Sequence, residues 1–518
     1  MMLSNSGEKG FCFSLRFVTL FAAAHVVLVF LQSNFVPLSG GWNMVWLGLE
    51  LLLGVGAFVL SLGCYLYAVK NKTPSLVGFR TLFRDILSPG SVLLLLWVLW
   101  AYIACLLAIR EGRTSFYHNV RYLFYQTADL LVLFPLGVYY GRRGETRLLR
   151  ALYDMCLTLF TLQLVYGFYQ FFRGNPQFSA FFGRKFDFSI LRAIFGVNSN
   201  HTGAYAAFFL IAGIWRFRNA ASRAGKAALI AAFLVSFAAF AMVESRGAIF
   251  GVTAAVGVYA GAASWRRHKK GAFTGGLCSL LCCVLAAGAF LALFYGTRAC
   301  ALSVQNNVLA RVYETTSDPL SPVSEEADTV STAEAAQSAD AAVPEAGSTS
   351  YIAPAAGADG DKEMRGLIGK GASTLGGRKK IWLTVIRGAS KDFHILLHGT
   401  SMANTSDWVA TVLGKAFRTH NQFLELLVAQ GLPALILFLL WLLWLAGRSV
   451  RLGLDGESKT NWVLPLPLLA LIIHNMVEMM LVARPHVVCG FFYLIAGYVV
   501  GFTPQENKNE SIRINADK

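Results

Sequence analysis

Apolar runs of about 20 residues, the length that crosses a bilayer as helix, recur along almost the whole chain and constrain its fold more than any other feature. About twelve can be marked, near residues 11–32, 42–69, 91–109, 122–140, 151–172, 202–217, 227–242, 247–264, 272–295, 423–446, 462–481 and 487–502. Composition points the same way: 55% of the 518 residues are hydrophobic and only 14% are charged, too apolar for a core shielded from water by its own surface. The expected fold class is all-α, a polytopic integral membrane protein of about 12 transmembrane helices. The first run is long, and Ser33-Asn34-Phe35-Val36-Pro37 after it offers no small-residue cleavage site, so it reads as an uncleaved helix rather than a secretory signal. The nine cysteines are scattered without the spacing of a metal cluster or a disulfide framework.

Every second connection is basic. Lys70, Lys72, Arg80 and Arg84 fall in one, Arg142, Arg143, Arg147 and Arg150 in the next, Arg216, Arg218, Arg223 and Lys226 in a third, and Arg266, Arg267, Lys269 and Lys270 in a fourth. Short cytoplasmic loops collect Lys and Arg, so these connections, the later one at 448–459 and both termini are expected in the cytoplasm. The expected organisation is helices 1–9 over residues 1–296, a large extracytoplasmic loop at 297–420, helices 10–12 over 421–503 and a cytoplasmic tail at 504–518. The opposite face should be poor in positive charge, yet it carries Arg110, Arg113, Arg121, Arg173, Arg184, Lys185, Arg192, Arg246, Arg378, Arg387, Arg418 and Arg484. Guanidinium presents a planar fork of donors suited to phosphate oxygens, whereas lysine is a hydrated point charge. Single arginines of this kind anchor at lipid headgroups; the whole set suits an anionic substrate outside the membrane.

The long loop is of two kinds. Residues 314–363 are Ala, Ser, Thr, Pro and acidic side chains, with eleven Asp or Glu against the single Lys362. Such a segment is expected to be a disordered, solvated tether. Its charge of −10 means that the formal +16 of the chain conceals +26 elsewhere. Beyond it, Arg378-Lys379-Lys380-Ile381-Trp382-Leu383-Thr384-Val385-Ile386 has the spacing of an amphipathic helix. A second short helix should start near Thr419-His420-Asn421, with Phe423, Leu424, Leu426 and Leu427 on its apolar side, and break at Gly431-Leu432-Pro433.

Four stretches resemble the O-antigen ligase and O-antigen polymerase superfamily of bacterial envelope glycosyltransferases. Asn198-Ser199-Asn200-His201-Thr202-Gly203 resembles the asparagine-rich start of a middle helix, and Glu244-Ser245-Arg246-Gly247-Ala248 the Ser-Arg-Gly motif that opens another. Gly377-Arg378-Lys379-Lys380-Ile381-Trp382, followed by His398-Gly399, is similar to the Gly-Arg segment and later glycine of the large external loop. His420-Asn421, nine residues, then Gly431 is similar to the His-Asn signature that ends it. Ala434 and Pro433 depart from the ligase form of that signature, and the acidic insert is not a family feature. The resemblance implies a GT-C-like membrane enzyme that moves a glycan from a polyprenyl pyrophosphate carrier to a glycan or lipid acceptor, without a nucleotide sugar, cofactor or metal. Membrane lipid and envelope-assembly proteins are the expected partners, and nucleic acid is not.

The residues suit that chemistry. A departing pyrophosphate develops negative charge, which preorganised arginines stabilise selectively in the transition state; Arg246 and Arg378, with Arg484 as a further member, are the candidates. Deprotonating an acceptor hydroxyl needs a base titrating near neutrality, which histidine supplies; His420 is the candidate, oriented by Asn421 or a nearby carboxylate. Asn200 and His201 open the sixth span, with Asn200 as a further supporting residue of the site. His474 and Glu478, four apart, should share one face of the eleventh helix as a supporting pair; no neighbouring Cys, Asp or His completes a metal set there. The alternative class is a twelve-helix transporter or flippase for a lipid-linked glycan, with Asp129, Asp154, His474 and Glu478 as coupling sites. No repeat relates the two halves of the chain, as such carriers often show.

Overall fold

A computed structural model of the chain describes residues 5–35, 48, 49, 52, 88–172, 199–243, 245–267, 272–315, 375–414, 418–454, 461–482 and 486–502. Among them there is no strand. The helices are α1 (Asn5–Phe35), α2 (Pro89–Arg110), α3 (Phe116–Ala128), α4 (Phe134–Arg142), α5 (Arg147–Phe172), α6 (Ser199–Arg218), α7 (Arg223–Val243), α8 (Arg246–Arg267), α9 (Ala272–Thr315), α10 (Leu375–Lys391), α11 (Phe393–Leu397), α12 (Thr405–Leu413), α13 (Gln422–Leu454), α14 (Pro465–His474) and α15 (Val487–Gly501). Six stretches among the described residues are long and apolar enough to cross a membrane: Pro89–Arg110, Arg147–Tyr169, Arg223–Val243, Arg246–Arg267, Thr274–Ala301 and Gln422–Gly453. Arg16–Leu31, Asn461–His474 and Val487–Gly501 are shorter apolar helices. The described residues form an all-helical membrane protein. Almost all of the apolar run at 42–69, and the acidic insert beyond residue 315, lie outside the described residues.

The middle of the bundle is α15, all of whose residues are buried. It meets α4 backbone to backbone. A Cβ built on Gly137 would fall 2.2 Å from the Leu494 carbonyl oxygen, and one on Gly497 would fall 2.1 Å from that of Phe134. Gly141 and Gly501 repeat the contact one turn on. Lipid gives helices little hydrophobic reason to associate, so close packing of small residues at this spacing supplies the adhesion. A π-helical turn, Asp129–Leu133, joins α3 to α4, and Asp129 accepts a hydrogen bond from Cys489 Sγ of α15 at 3.0 Å. A second close seam joins α8 to α14, where a Cβ on Gly251 would lie 2.3 Å from the Ala470 carbonyl oxygen.

Basic residues gather at one end. Arg216 grips Asp154 with two bonds of 2.8 Å, tying α6 to α5, so Asp154 is engaged in packing rather than left for a transported ion. Arg266 donates to the Gly453 carbonyl at 2.9 Å, linking α8 to α13. Because α8 begins at Arg246 and finishes at Arg266 and Arg267, the Arg246 turn lies at the other end of the bundle.

Three elements differ from the sequence expectation. The ninth helix does not stop near residue 296 but runs on as a 44-residue α9, about 66 Å at 1.5 Å per residue. The segment between α9 and α13 holds three described helices, α10, α11 and α12, rather than one ahead of the His420 helix. The eleventh span ends at His474, because the Asn475 side chain bonds back to the Leu471 carbonyl and accepts from the Met480 amide, diverting the backbone from the helix. His474 and Glu478 therefore do not share a helix face.

Gly497→Leu is expected to push α4 and α15 apart and to cost about 1–3 kcal/mol or more, the usual penalty of overpacking. Gly288→Leu is the control, since nothing lies within 4 Å of a Cβ there. Thermal unfolding in detergent should separate them, and equal stability of the two variants would contradict the backbone-contact reading.

Candidate functional site

At the end of the bundle away from the basic cluster, α10 presents Ile381, Val385 and Ala389, four apart, as one buried stripe. Ile381 and Val385 pack on Val409 and Leu413 of α12 and on Val428 of α13. Trp382 donates from Nε1 to the Thr419 carbonyl at 2.9 Å, pinning the residue before His420. The amphipathic reading of this segment holds, and it fixes Arg378 at the first turns of α10.

The first turns of α13 end at Gly431, whose φ of 78° and ψ of −178° interrupt the helix. A Cβ there would sit 2.4 Å from the Leu397 carbonyl oxygen, and one on Gly399, with φ of 73°, would sit 2.4 Å from the Ala429 carbonyl carbon. Only glycine tolerates both the left-handed backbone and this contact. The carbonyls freed by the break are not orphaned: Thr400 and Ser401 amides donate to Val428 and Ala429 at 2.8 Å each, and Trp100 Nε1 donates to Gln430 at 2.8 Å.

His420 stands just before α13 with φ of 45°, a left-handed conformation costing a non-glycine residue on the order of 1–3 kcal/mol. The flanking residues hold it there. Asn421 caps α13, accepting from the Phe423 and Leu424 amides at 2.9 and 3.1 Å, while its Nδ2 donates to the Met476 carbonyl at 2.9 Å. Thr419 donates to Glu425 Oε2 at 2.9 Å. Glu425 is fully buried and also accepts from Thr405 at 2.8 Å and Arg418 at 3.1 Å. Burial works against the Arg418 charge, but Glu425 and the Tyr122 hydroxyl beside it together outweigh that and raise the guanidinium above its ordinary range. Gln422 completes the frame through its amide to the Asn475 carbonyl and its Oε1 to the Leu481 amide.

The segment following α14 brings Glu478 to the same place. Its carboxylate, 4% exposed, is met from three sides. Arg378 Nη2 donates to Oε1 at 3.2 Å, Asn200 Nδ2 at the start of α6 donates to the same oxygen, and His420 Nδ1 lies 3.3 Å from Oε2. Arg378 also donates to the Val477 carbonyl. An ionised carboxylate only accepts, so His420 donates from Nδ1, and the ring's basic lone pair belongs to Nε2.

Of the residues singled out from sequence, Arg378, His420, Asn200 and Glu478 thus converge, and Asn421 shapes the turn beneath them. Arg246 is exposed at the first residue of α8. Its neighbour Gly247 packs against Val477 and His474, which brings the α8 terminus beside the Glu478 segment. His474 is buried, and neither ring nitrogen has a hydrogen-bond partner among the described residues; it lies under Gly247 and forms no hydrogen bond to Glu478. Arg484 lies outside the described residues. Two arginines of the set expected to face an anion are committed within the fold, Arg418 to Glu425 and Arg113 to Glu111. Glu425, Gln422 and Asn475 were not anticipated, although polar side chains inside apolar runs are themselves a sign of an interior network. An apolar cavity of about 490 Å³ lined by Gly261, Trp265, Leu445, Gly453 and Trp462 lies toward the basic end, away from this cluster.

Fold and site together define a multi-helix membrane protein with a polar cluster assembled from helix ends and a folded loop. Residues 231–439 match the family described as O-antigen ligase, so this segment is similar to that family. The matched stretch runs from α7 into α13, so it contains Arg246, Arg378 and His420 and leaves Asn200 and Glu478 outside. No curated protein matches the chain.

Arg418→Ala should leave the Glu425 carboxylate buried without its cation and destabilise the protein by about 3 kcal/mol or more. Thermal unfolding of the purified variant checks this; a wild-type melting temperature would show that the two threonines suffice.

Proposed function

We propose that this chain is an envelope glycosyltransferase that moves a glycan from a polyprenyl pyrophosphate carrier to an acceptor hydroxyl on the outer face of the cytoplasmic membrane. The observation that carries the reading is the convergence of Arg378, His420 and Asn200 on one buried carboxylate, Glu478. The match of residues 231–439 to the O-antigen ligase family supports it. In this reading both termini are cytoplasmic, as the Lys and Arg asymmetry of the loops favours.

In the proposed step, His420 Nε2 takes the acceptor hydroxyl proton as the oxygen attacks the anomeric carbon. The bond from that carbon to the phosphate oxygen breaks, and the carrier pyrophosphate leaves as an anion. Glu478 stabilises the imidazolium that forms, as a carboxylate does behind a general-base histidine. Arg378 directs two of its five N–H donors to Val477 and Glu478, and the remaining three face the pyrophosphate with Arg246. Their contribution is greatest when negative charge develops on the leaving group.

His420→Ala is expected to lower transfer by about 10²–10⁴-fold, the usual worth of a general base, and Glu478→Gln to lower it by a similar order while leaving expression intact. Arg246→Ala should weaken use of the donor, read as a raised KM. Purified protein with a lipid-linked glycan donor supplies the assay, and wild-type rates in the His420 and Glu478 variants would sink the mechanism. The acceptor is settled in cells: a deletion strain that accumulates single repeats on the carrier marks a polymerase, and one that retains long chains on the carrier marks a ligase.

A further inference from the structure

A second cluster of ionisable groups lies apart from Glu478, where the end of α2 meets the folded loop. Glu111 follows the last residue of α2, its amide closing the helix on the Leu107 carbonyl. His394 and His398 are four apart around the turn of α11, a spacing that puts both rings on one side. His394 Nδ1 lies 2.7 Å and His398 Nε2 2.9 Å from the same Glu111 oxygen, Oε1. All three donor atoms fall within 4.8 Å of one another.

The hydrogen bonding of His398 makes this more than a chance contact. Its Nδ1 is 3.0 Å from the Gly399 carbonyl oxygen, which can only accept, so Nδ1 carries the proton. In the neutral ring Nε2 then holds a lone pair, and it points at a carboxylate oxygen 2.9 Å away. Two lone pairs at that separation repel unless a cation lies between them, either a second ring proton that makes an imidazolium–carboxylate pair or a metal ion. The His398 side chain is 2% exposed, so little water reaches the gap from its side. The surroundings are those of a ligand set held in place from behind. Arg113 Nε binds the other Glu111 oxygen at 2.8 Å, leaving Oε1 turned to the histidines. Asp392 caps α11 by accepting from the His394 and Ile395 amides at 3.0 and 3.3 Å. A histidine that donates one ring N–H to a backbone carbonyl holds its other nitrogen in an orientation that metal ligands share.

We propose that Glu111, His394 and His398 bind one divalent transition-metal ion, with Zn²⁺ as the type. Two imidazole nitrogens and one carboxylate favour such an ion over Ca²⁺ or Mg²⁺, which take oxygen ligands. Donors bound to zinc at about 2.0–2.1 Å in a tetrahedron stand about 3.3 Å apart. The two nitrogen–oxygen separations, 2.7 and 2.9 Å, therefore need to open by about 0.4–0.6 Å. His394, whose side chain is 55% exposed, is free to make that adjustment, and water fills the fourth position. The ion would clasp the end of α2 to the loop one residue ahead of Gly399, where the loop seats against the Gly431 break. It serves the fold of the loop, and the chemistry assigned to His420 does not pass through it.

The test uses the full chain without an affinity tag, purified in detergent and stripped with a chelator, then titrated with Zn²⁺ and with Co²⁺ as a spectroscopic substitute. Expected are one equivalent of metal per chain by elemental analysis, a Co²⁺ ligand-field band, and a raised melting temperature on metal addition. His394→Ala should weaken binding at least tenfold. Because His398 is buried, the exposed His394 variant is the decisive one, with its metal-free melting temperature showing that it folds. Arg113→Ala, which releases the carboxylate, should weaken binding as well. Substoichiometric uptake, or binding and stabilisation that survive His394→Ala, overturns the proposal.

Discussion

A carboxylate buried at the end of a membrane bundle has to be answered by charge or hydrogen bonds, and the organisation of this site follows from how Glu478 is answered. Desolvating an ionised carboxyl without partners costs several kcal/mol. The chain meets the demand with groups from three distant stretches: Asn200 from the start of α6, Arg378 from the first turns of α10 and His420 from the turn before α13. None of these donors is near Glu478 in sequence. The carboxylate therefore fixes the relative position of two helices and a loop as well as the tautomer of a histidine, and loss of any one donor leaves the others oriented toward an incompletely paired charge.

Such an arrangement needs backbone that departs from helix inside an otherwise helical protein, and each departure is satisfied locally. Asn475 ends α14 and turns the chain so that Glu478 reaches the site. Gly431 interrupts α13, and Thr400, Ser401 and Trp100 take up the carbonyls that the break exposes. Irregular backbone is tolerated in membrane proteins where protein or a polar cavity, rather than lipid, surrounds it. The strain at His420 is contained in the same way. Its left-handed φ is held between Thr419, tied to Glu425 and Trp382, and Asn421, tied to Met476 and to its own helix. A side chain fixed this firmly would lose little further entropy on binding a ligand.

The helices were legible because their signal is local. A run of apolar residues near Pro89 or Arg223 can do little else, and the stripe of Ile381, Val385 and Ala389 specifies a half-buried helix by spacing alone. Gly431 and Arg246 could likewise be placed from a breaker signal and a short turn. What the sequence hid are partnerships across long separations. Counting arginines on one face suggested a common anionic ligand, yet Arg418 and Arg113 are held by Glu425 and Glu111, and charge counts carry no information about such pairing. The His474 and Glu478 pair failed for a related reason. Periodicity assumes an unbroken helix, and a single asparagine whose side chain competes for backbone groups was enough to end it. The continuation of α9 past residue 296 was missed because a polar stretch following an apolar one looks like a loop whether or not the helix continues.

The division of labour among the arginines bears directly on how a site of this kind can handle an anion. An arginine fully neutralised by a carboxylate, as Arg418 is, contributes rigidity and little attraction. Arg378 is different, because Glu478 occupies only one edge of its guanidinium while His420 shares the same carboxylate. The negative charge of Glu478 is thus divided between a cation and a ring that gains charge only when it accepts a proton. As the ring becomes imidazolium, the carboxylate's attraction is drawn toward it, and the guanidinium is left with more of its positive field for an approaching anion. In the proposed reaction, proton uptake at His420 and anion stabilisation at Arg378 would be coupled through one shared residue. Under that proposal, the coupling is a physical reason for the histidine and the arginine to share one carboxylate rather than use separate ones.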